Sequence, residues 1–152
     1  MAGEQDRCIE KSRRSKIKVH DPGTGRRAVL LNASKVQVRC VRMDHCLVPE
    51  GTKAADFVVS IPNIVDVIVE LKGKNVDHGV EQIESTWTFW NSHAEHVRDQ
   101  LISAWIVCVQ FPRASQKIKR CQRRFRAHGG ILIVSTHNSE ERPFSDFVPR
   151  HT

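Results

Sequence analysis

The chain has 152 residues, a formal net charge of +7 and a sequence pI of about 9.5. This length suits one domain with a sizeable core, and the excess of positive charge favours a polyanionic partner. The N-terminus lacks the apolar segment of a signal peptide and no apolar run approaches the ~20 residues of a membrane span, so we expect a cytoplasmic protein that contacts no membrane.

The first half of the chain is expected to form mainly β-strands. A weak pattern over residues 5–15 predicts one short helix, which carries Glu10. Short segments rich in Val, Leu and Ile between turn signals then predict four strands: 27–31, 35–41, 56–61 and 65–71. An Asn-Ala-Ser link separates the first two of these strands, and we expect them to form a hairpin.

In the second half, helices alternate with strands. Apolar side chains three or four residues apart, including Trp87 and Trp90, predict an amphipathic helix over 76–92. The remaining predicted elements are a buried strand, a basic helix that ends at two glycines, and a final strand: 102–109, 114–127 and 131–135.

These elements predict one α/β domain over 1–152, with a central mixed sheet flanked by helices, because each helix must bury its apolar stripe on a sheet face. The ends of the chain, 1–20 and 139–152, are expected to be flexible.

The cysteines give a weak indication of compartment. Their number is five, with no CxxC pair, which is typical of a reducing interior, so we expect free thiols. Cys40, His45 and Cys46 lie close together, with His20 upstream, but their spacing matches no standard zinc module. Scattered thiols and surface histidines are the preferred interpretation.

Basic residues form two clusters. The first is close to the N-terminus: Arg7, Lys11, Arg13, Arg14, Lys16 and Lys18, followed by Arg26 and Arg27. The second begins just before the predicted basic helix and continues along it, and it supplies the candidate nucleic-acid-binding residues Arg113, Lys117, Arg120, Arg123 and Arg124, together with Lys119 and Arg126. Such clusters neutralise phosphates, so we expect DNA as the partner, with RNA not excluded. The alternative is a solvated basic face.

Polar residues interrupt the two apolar strands 56–61 and 65–71. Asp56 begins the first strand, while Glu70 and Lys72 lie two residues apart at the end of the second. Side chains on one face of a strand recur every second residue, so Glu70 and Lys72 share a face that Asp56 can reach from the neighbouring strand. Two carboxylates beside a lysine can bind a hard divalent cation, as phosphodiester hydrolysis requires.

This arrangement resembles the PD-(D/E)XK nuclease superfamily, which includes restriction endonucleases and archaeal Holliday-junction resolvases. Thirteen residues separate Asp56 from Glu70, one leucine separates Glu70 from Lys72, and the following helix carries Gln82 near its start. Ala55 stands where the motif has its proline. The resemblance extends from residue 53 to about residue 109 and implies a restriction-endonuclease-like core.

The resemblance also implies a mechanism. Asp56, Glu70 and the carbonyl of Leu71 would hold Mg²⁺, or alternatively Mn²⁺, and Lys72 would orient the attacking water or stabilise the transition state. Gln82 would support the lysine or contact a phosphate. Because one chain offers one such site and two cuts need two, we expect a homodimeric Mg²⁺-dependent endodeoxyribonuclease.

Three alternatives remain open from the sequence. Asp66 shares the face of Glu70 and could replace Asp56 as the first ligand. The enzyme could be a structure-selective resolvase or repair nuclease instead of a restriction enzyme. Finally, the fold could serve a non-catalytic nucleic-acid-binding or scaffold protein, with Glu70 and Lys72 as a surface pair on an exposed strand.

Overall fold

A computed structural model describes residues 7–21, 23–71, 75–109, 115–136 and 140–150. These residues form nine strands, β1 (Ile9–Ser12), β2 (Lys16–His20), β3 (Arg27–Leu31), β4 (Val38–Arg42), β5 (Phe57–Ile61), β6 (Val65–Leu71), β7 (Ile102–Val107), β8 (Leu132–Ser135) and β9 (Glu141–Pro143). The helices are α1 (Val76–Asn91), α2 (Gln116–Ala127) and a short 3₁₀ helix (Phe144–Phe147). An irregular turn, Met43–Leu47, follows β4.

Six strands form one mixed sheet in the order β1-β4-β5-β6-β7-β8. Within this sheet, β1, β4, β5 and β6 pair antiparallel with one another in that order, whereas β6, β7 and β8 pair parallel. The parallel part arises because α1 and α2 act as crossover connections, which return the chain to the same end of the sheet. The predicted α/β fold with a central mixed sheet is therefore confirmed.

Both helices pack on the same face of this sheet. Val80 and Ile83 of α1 and Phe125 of α2 contact apolar side chains of the central strands, including Ile68 and Ile106. Trp90 and Trp105 are fully buried, as the sequence predicted, and the half-buried ring of Trp87 stacks on Phe125 with 4.3 Å between the centroids. The helices thus bury the apolar stripes that their spacing predicted.

A second sheet, which the sequence did not predict, covers the opposite face. It has the order β2-β3-β9. Ile17 and Leu30 of this small sheet pack with Val67 and Val69 of β6 and with Phe147 of the 3₁₀ helix. The large sheet is therefore covered on both faces, and all seven residues of β6 are buried.

Two local predictions for the first half are wrong. Residues 9–12 of the expected helix 5–15 form β1, which pairs with β4. The expected hairpin of 27–31 with 35–41 is absent, because β3 belongs to the small sheet and β4 to the large one. Their link includes Lys35, at a positive φ of 51°, and Asn32, whose amide donates to the carbonyl oxygens of Arg14 and Val36.

The prediction that the basic helix ends at a glycine is confirmed for α2. Gly129 has a φ of 85°, a left-handed conformation that glycine adopts without steric cost, and the amide of Gly130 donates to the carbonyl of Phe125 at 2.7 Å. At the other end, Ser115 caps the helix by accepting from the amide of Ile118.

The expectation that every cysteine is a free thiol is wrong. Cys8 and Cys46 form a disulfide that joins the start of β1 to the turn after β4, whereas Cys40, Cys108 and Cys121 remain thiols. Sequence spacing gives no hint of this pair, since β1 and β4 become neighbours through tertiary pairing. Disulfides persist mainly in oxidising environments, so the cysteines no longer support the reducing compartment expected above.

In the part of the chain that the structure describes, no helix combines the length and the apolar character that crossing a bilayer requires.

Breaking the Cys8–Cys46 bond is expected to destabilise the fold. The bond closes a sequence separation of 38 residues, so Cys46→Ser should lower the free energy of unfolding by about 2–4 kcal/mol. Urea unfolding of wild type and variant, without and with reductant, measures this. With reductant the two proteins should be equally stable. Equal stability without reductant, or five titratable thiols in the unreduced wild type, would contradict the bond.

Candidate active site and nucleic-acid interface

β6 carries two buried acidic residues. Asp66 is 0% exposed and Glu70 is 2% exposed. With Ile68 between them, they point towards the helices, while the alternate valines point towards the small sheet. This face is thus covered from Asp66 to Glu70, and Glu70 does not lie on an exposed strand face.

Asp56 lies beside the end of β6 that carries Glu70. Phe57 of β5 and Val69 of β6 form the last registered pair of the two strands, and Asp56 and Glu70 are the next residues beyond it. The amide of Leu71 donates to Asp56 Oδ2 at 2.8 Å and thereby fixes the orientation of that carboxylate.

Helix α1 holds the chain that leads into Asp56. The Gln82 side chain donates to the carbonyl of Ala54 at 3.0 Å, and the Thr86 hydroxyl accepts from the amide of Ala55 at 2.7 Å. Both alanines are buried, so water does not compete effectively for these bonds. Gln82 is therefore a positioning residue in this geometry: it fixes the backbone that precedes the candidate ligand Asp56.

Asp66 occupies a different environment. Its Oδ2 accepts from Trp90 Nε1 at 2.9 Å and lies 2.9 Å from His96 Nδ1, and its Oδ1 accepts from Gln100 Nε2 at 2.7 Å. Both of its oxygens are engaged, and four strand residues place it about 13 Å from Glu70 along β6. Asp66 therefore joins β6 to the segment after α1 and does not share a cation site with Glu70.

Two residues of the predicted sites, Lys72 and Arg113, lie outside the described residues. Glu10, which the sequence associated with a helix before the first strand, lies on β1 opposite Cys40. Its side chain is on the face of the large sheet that carries the small sheet, opposite to Asp56, so Glu10 does not join the candidate ligands.

The residues present fit a small divalent cation that keeps most of its water. No group of three or more His, Cys, Asp or Glu side chains suited to a metal occurs among the described residues. Mg²⁺ is commonly held by one or two carboxylates with several waters, and Asp56 with Glu70 meets that requirement. Asp56 Oδ1 has no hydrogen-bond donor among the described residues and remains available to a ligand.

The structure does not support a zinc site at these cysteines and histidines. Cys46 is bonded to Cys8, so its sulfur is not available as a thiolate ligand. Burial and the nearby Glu10 carboxylate raise the pKa of the Cys40 thiol to about 12, which further disfavours the thiolate.

The basic helix α2 is partly neutralised by α1. Lys117 pairs with Glu81, which also binds Lys53 at 2.7 Å, and Arg124 pairs with Glu84. Sequence reasoning treated all α2 cations alike. The signal that it missed is the acidic pair at 81 and 84, three residues apart on one side of the neighbouring helix.

Arg120 and Arg123 differ from these paired cations. Both are exposed, and neither forms an ion pair with an acidic side chain of the described residues. Of the candidate nucleic-acid-binding residues whose side chains the structure describes, these two are the ones whose charge is not already balanced by α1.

Comparison with known proteins finds no matching family model, no matching curated protein and no matching solved structure. The resemblance to PD-(D/E)XK nucleases thus depends on the residues and geometry of this chain alone.

The Glu81 ion pairs predict a stability that depends on pH. The hydrogen bond from Lys117, then that from Lys53, lowers the pKa of Glu81 from 4.5 to about 2. A carboxyl whose pKa falls on folding stabilises the fold above its unfolded pKa, and this contribution is lost as pH falls through the folded pKa. Glu81→Gln should therefore be less stable than wild type at pH 7, and the difference should shrink between pH 4.5 and 2.

Urea unfolding midpoints at a series of pH values measure this difference. Asp99→Asn is the matched control, because Asp99 is exposed, forms no ion pair with a described residue, and has a φ of 65° that asparagine tolerates. If wild type and Glu81→Gln differ in stability by the same amount at pH 7 and at pH 2, the ion pairs do not have the expected effect.

Proposed function

We propose that this protein is a metal-dependent endonuclease that hydrolyses phosphodiester bonds in DNA, with a restriction-endonuclease-like core. The observation that supports the proposal is that the Asp56 carboxylate accepts from the amide of Leu71, the residue that follows the buried Glu70 on β6. Two nearby carboxylates repel each other when both are charged, and a divalent cation between them relieves that repulsion. The burial of Glu70 favours a cation site over a surface pair.

Each protein group has a defined task in this proposal. Asp56, oriented by the amide of Leu71, and Glu70, held on the central strand, supply carboxylate oxygens to the cation. When bound, Mg²⁺ supplies a water of lowered pKa and a Lewis acid for the scissile phosphate. Gln82 keeps Asp56 in place through Ala54. Lys72 is proposed to orient the attacking water or to stabilise the charge that develops on the phosphate.

The substrate is proposed to approach along α2. Arg120 and Arg123 are exposed and available to phosphates, whereas Lys117 and Arg124 already pair with α1. One chain provides one carboxylate pair, so cleavage of both strands of a duplex would use two chains, and we propose a homodimer on that ground.

The rival function is a nucleic-acid-binding protein without catalysis. The observation that favours it is the exposure of Arg120 and Arg123 without an acidic partner among the described residues, since these cations can bind phosphates whether or not Asp56 and Glu70 hold a metal. Cleavage and metal affinity therefore separate the two functions, whereas nucleic-acid binding does not.

Removing either carboxylate is expected to abolish Mg²⁺-dependent cleavage. Asp56→Asn and Glu70→Gln keep the side-chain size but remove an anionic ligand, so the rate on plasmid DNA should fall by about 10²-fold or more. Lys72→Ala should reduce the rate comparably. Manganese affinity, measured calorimetrically on each protein, should fall in Asp56→Asn and Glu70→Gln but not in Lys72→Ala.

The matched control is Asp66→Asn, which alters an acid on the same face of β6 about 13 Å away. This variant should lose stability, because Trp90, His96 and Gln100 lose their shared carboxylate, yet it should retain manganese affinity while folded. A wild type that binds DNA but cleaves none with Mg²⁺ or Mn²⁺ would favour the non-catalytic rival.

The α2 arginines are expected to contribute to duplex affinity. Arg120→Ala with Arg123→Ala should weaken duplex binding and reduce the slope of log K against log[salt] by about 1.8, since each phosphate contact contributes about 0.9. Fluorescence anisotropy at several salt concentrations measures the slope. Lys117→Ala is the comparison, because its charge is already paired with Glu81, and it should change the slope less. An unchanged slope in the double variant would exclude this face as a duplex contact.

A further inference from the structure

A deep cleft separates the large sheet from the small sheet at one end of the molecule. Its volume is about 840 Å³. One wall consists of β1 with the ends of β4 and β5, and the other wall is β2. The chain passes from one wall to the other through residues 13–15, which close the cleft at that end.

The lining of this cleft is strongly cationic. Six lining cations form no ion pair with an acid of the described residues: Arg7, Arg13, Arg14, Lys18, Lys35 and Arg42. A seventh, Lys16, pairs with Glu141 at 2.8 Å. Glu10 is the one acid among the lining residues. This excess of positive charge within a concave surface focuses the electrostatic potential on a bound anion.

The dimensions of the cleft select one strand of nucleic acid over a duplex. Its volume lies within the range of about 300–1,000 Å³ typical of pockets that enclose a single small molecule. A few nucleotides of one strand fit such a volume better than a duplex, whose major groove alone is about 12 Å wide. The half-buried ring of Phe57 lines the wall and offers a face for a base. Proteins that bind single strands combine such a basic groove with aromatic side chains.

The cleft leads towards the candidate active site. Phe57 and Arg42 are paired residues at its open mouth, and Asp56 is the next residue along the chain from Phe57. The open mouth and the Asp56–Glu70 pair thus lie at the same end of the large sheet, on opposite faces of it. A strand that leaves the cleft at Phe57 passes the end of β5 and β6, where the two carboxylates lie.

We propose that this inter-sheet cleft binds a single strand of DNA through its phosphates, with a base against Phe57, and delivers that strand to the Asp56–Glu70 pair. The second half of this statement rests on the proposed nuclease function, whereas strand binding by the cleft does not. The cleft would make the protein selective for DNA with an unpaired segment, such as a flap, a loop or an open junction.

Strand binding is tested without divalent cation, so that the result does not depend on catalysis. The probe is a fluorescein-labelled oligothymidylate of about 12 nucleotides, and its affinity is measured by anisotropy with EDTA present. Lys18→Gln with Arg42→Gln should weaken binding about tenfold at low salt and reduce the salt slope by about 1.4, since each single-strand phosphate contact contributes about 0.7. Both side chains are exposed, so the fold should tolerate the changes.

Two matched controls locate the effect. Arg98→Gln removes an exposed cation at the opposite end of the large sheet and should leave oligothymidylate affinity unchanged. Arg120→Gln with Arg123→Gln removes two α2 cations and should weaken duplex binding more than oligothymidylate binding. An oligothymidylate affinity that falls equally in the cleft and α2 variants, or that does not fall in the cleft variant, overturns the proposal.

Competition distinguishes nucleic acid from other polyanions. Polyglutamate at the same charge concentration should not displace the oligothymidylate, because it carries no phosphates and no bases for Phe57. Displacement at equal charge would overturn the proposal in favour of an acidic peptide. Photocrosslinking of a bromodeoxyuridine oligonucleotide to the wild-type protein needs no variant. Crosslinks at Phe57 or in peptides of β1 and β2 support the cleft, and crosslinks confined to α2 exclude it.

Discussion

The burial of two carboxylates on the central strand β6 is the constraint on which the rest of the structure depends. An ionised carboxylate in a protein interior costs several kcal/mol unless donors or cations compensate for its charge. At one end of β6, Trp90, His96 and Gln100 supply hydrogen bonds to Asp66. At the other end, Glu70 precedes Leu71, whose amide donates to the Asp56 carboxylate, and a cation is the proposed partner of these two acids. The same strand thus has a structural acid and a candidate functional acid.

Helix α1 connects these two ends and the basic helix. Its apolar side covers β6, and Trp90 near its C-terminal end donates to Asp66. Gln82 and Thr86 of α1 form hydrogen bonds to the segment before Asp56. Glu81, on the polar side of α1, forms an ion pair with Lys117 of α2. Different residues of α1 therefore hold the segment before Asp56 and pair with the cations of α2. The ion pairs of Glu81 and Glu84 balance Lys117 and Arg124, whereas Arg120 and Arg123 have no acidic partner among the described residues.

The sequence predicted the second half of the fold well because its signals are local. The stripe of α1, the capped basic helix α2 and the apolar strands β5 to β8 follow from spacing and composition. The small sheet escaped prediction because β2 and β9 are short and gain their stability from pairing with β3, which periodicity does not report. Strand spacing also predicted that Asp56 and Glu70 share a site, which stays a prediction. The sequence left open whether Asp56 or Asp66 is the first metal ligand, because the donors that surround Asp66 come from residues distant along the chain. It also did not identify the Cys8–Cys46 bond.

The central proposal is that Asp56 and Glu70 together hold a divalent cation near the end of β5 and β6. The protein has a net charge of +7, and its basic surfaces on α2 and in the inter-sheet cleft are the proposed contacts of a polyanionic substrate. A crystal grown with Mn²⁺ tests the claim most directly, through the anomalous difference map. We expect a peak between the carboxylates of Asp56 and Glu70. A well-ordered site without a peak there, or with manganese bound elsewhere, would contradict it.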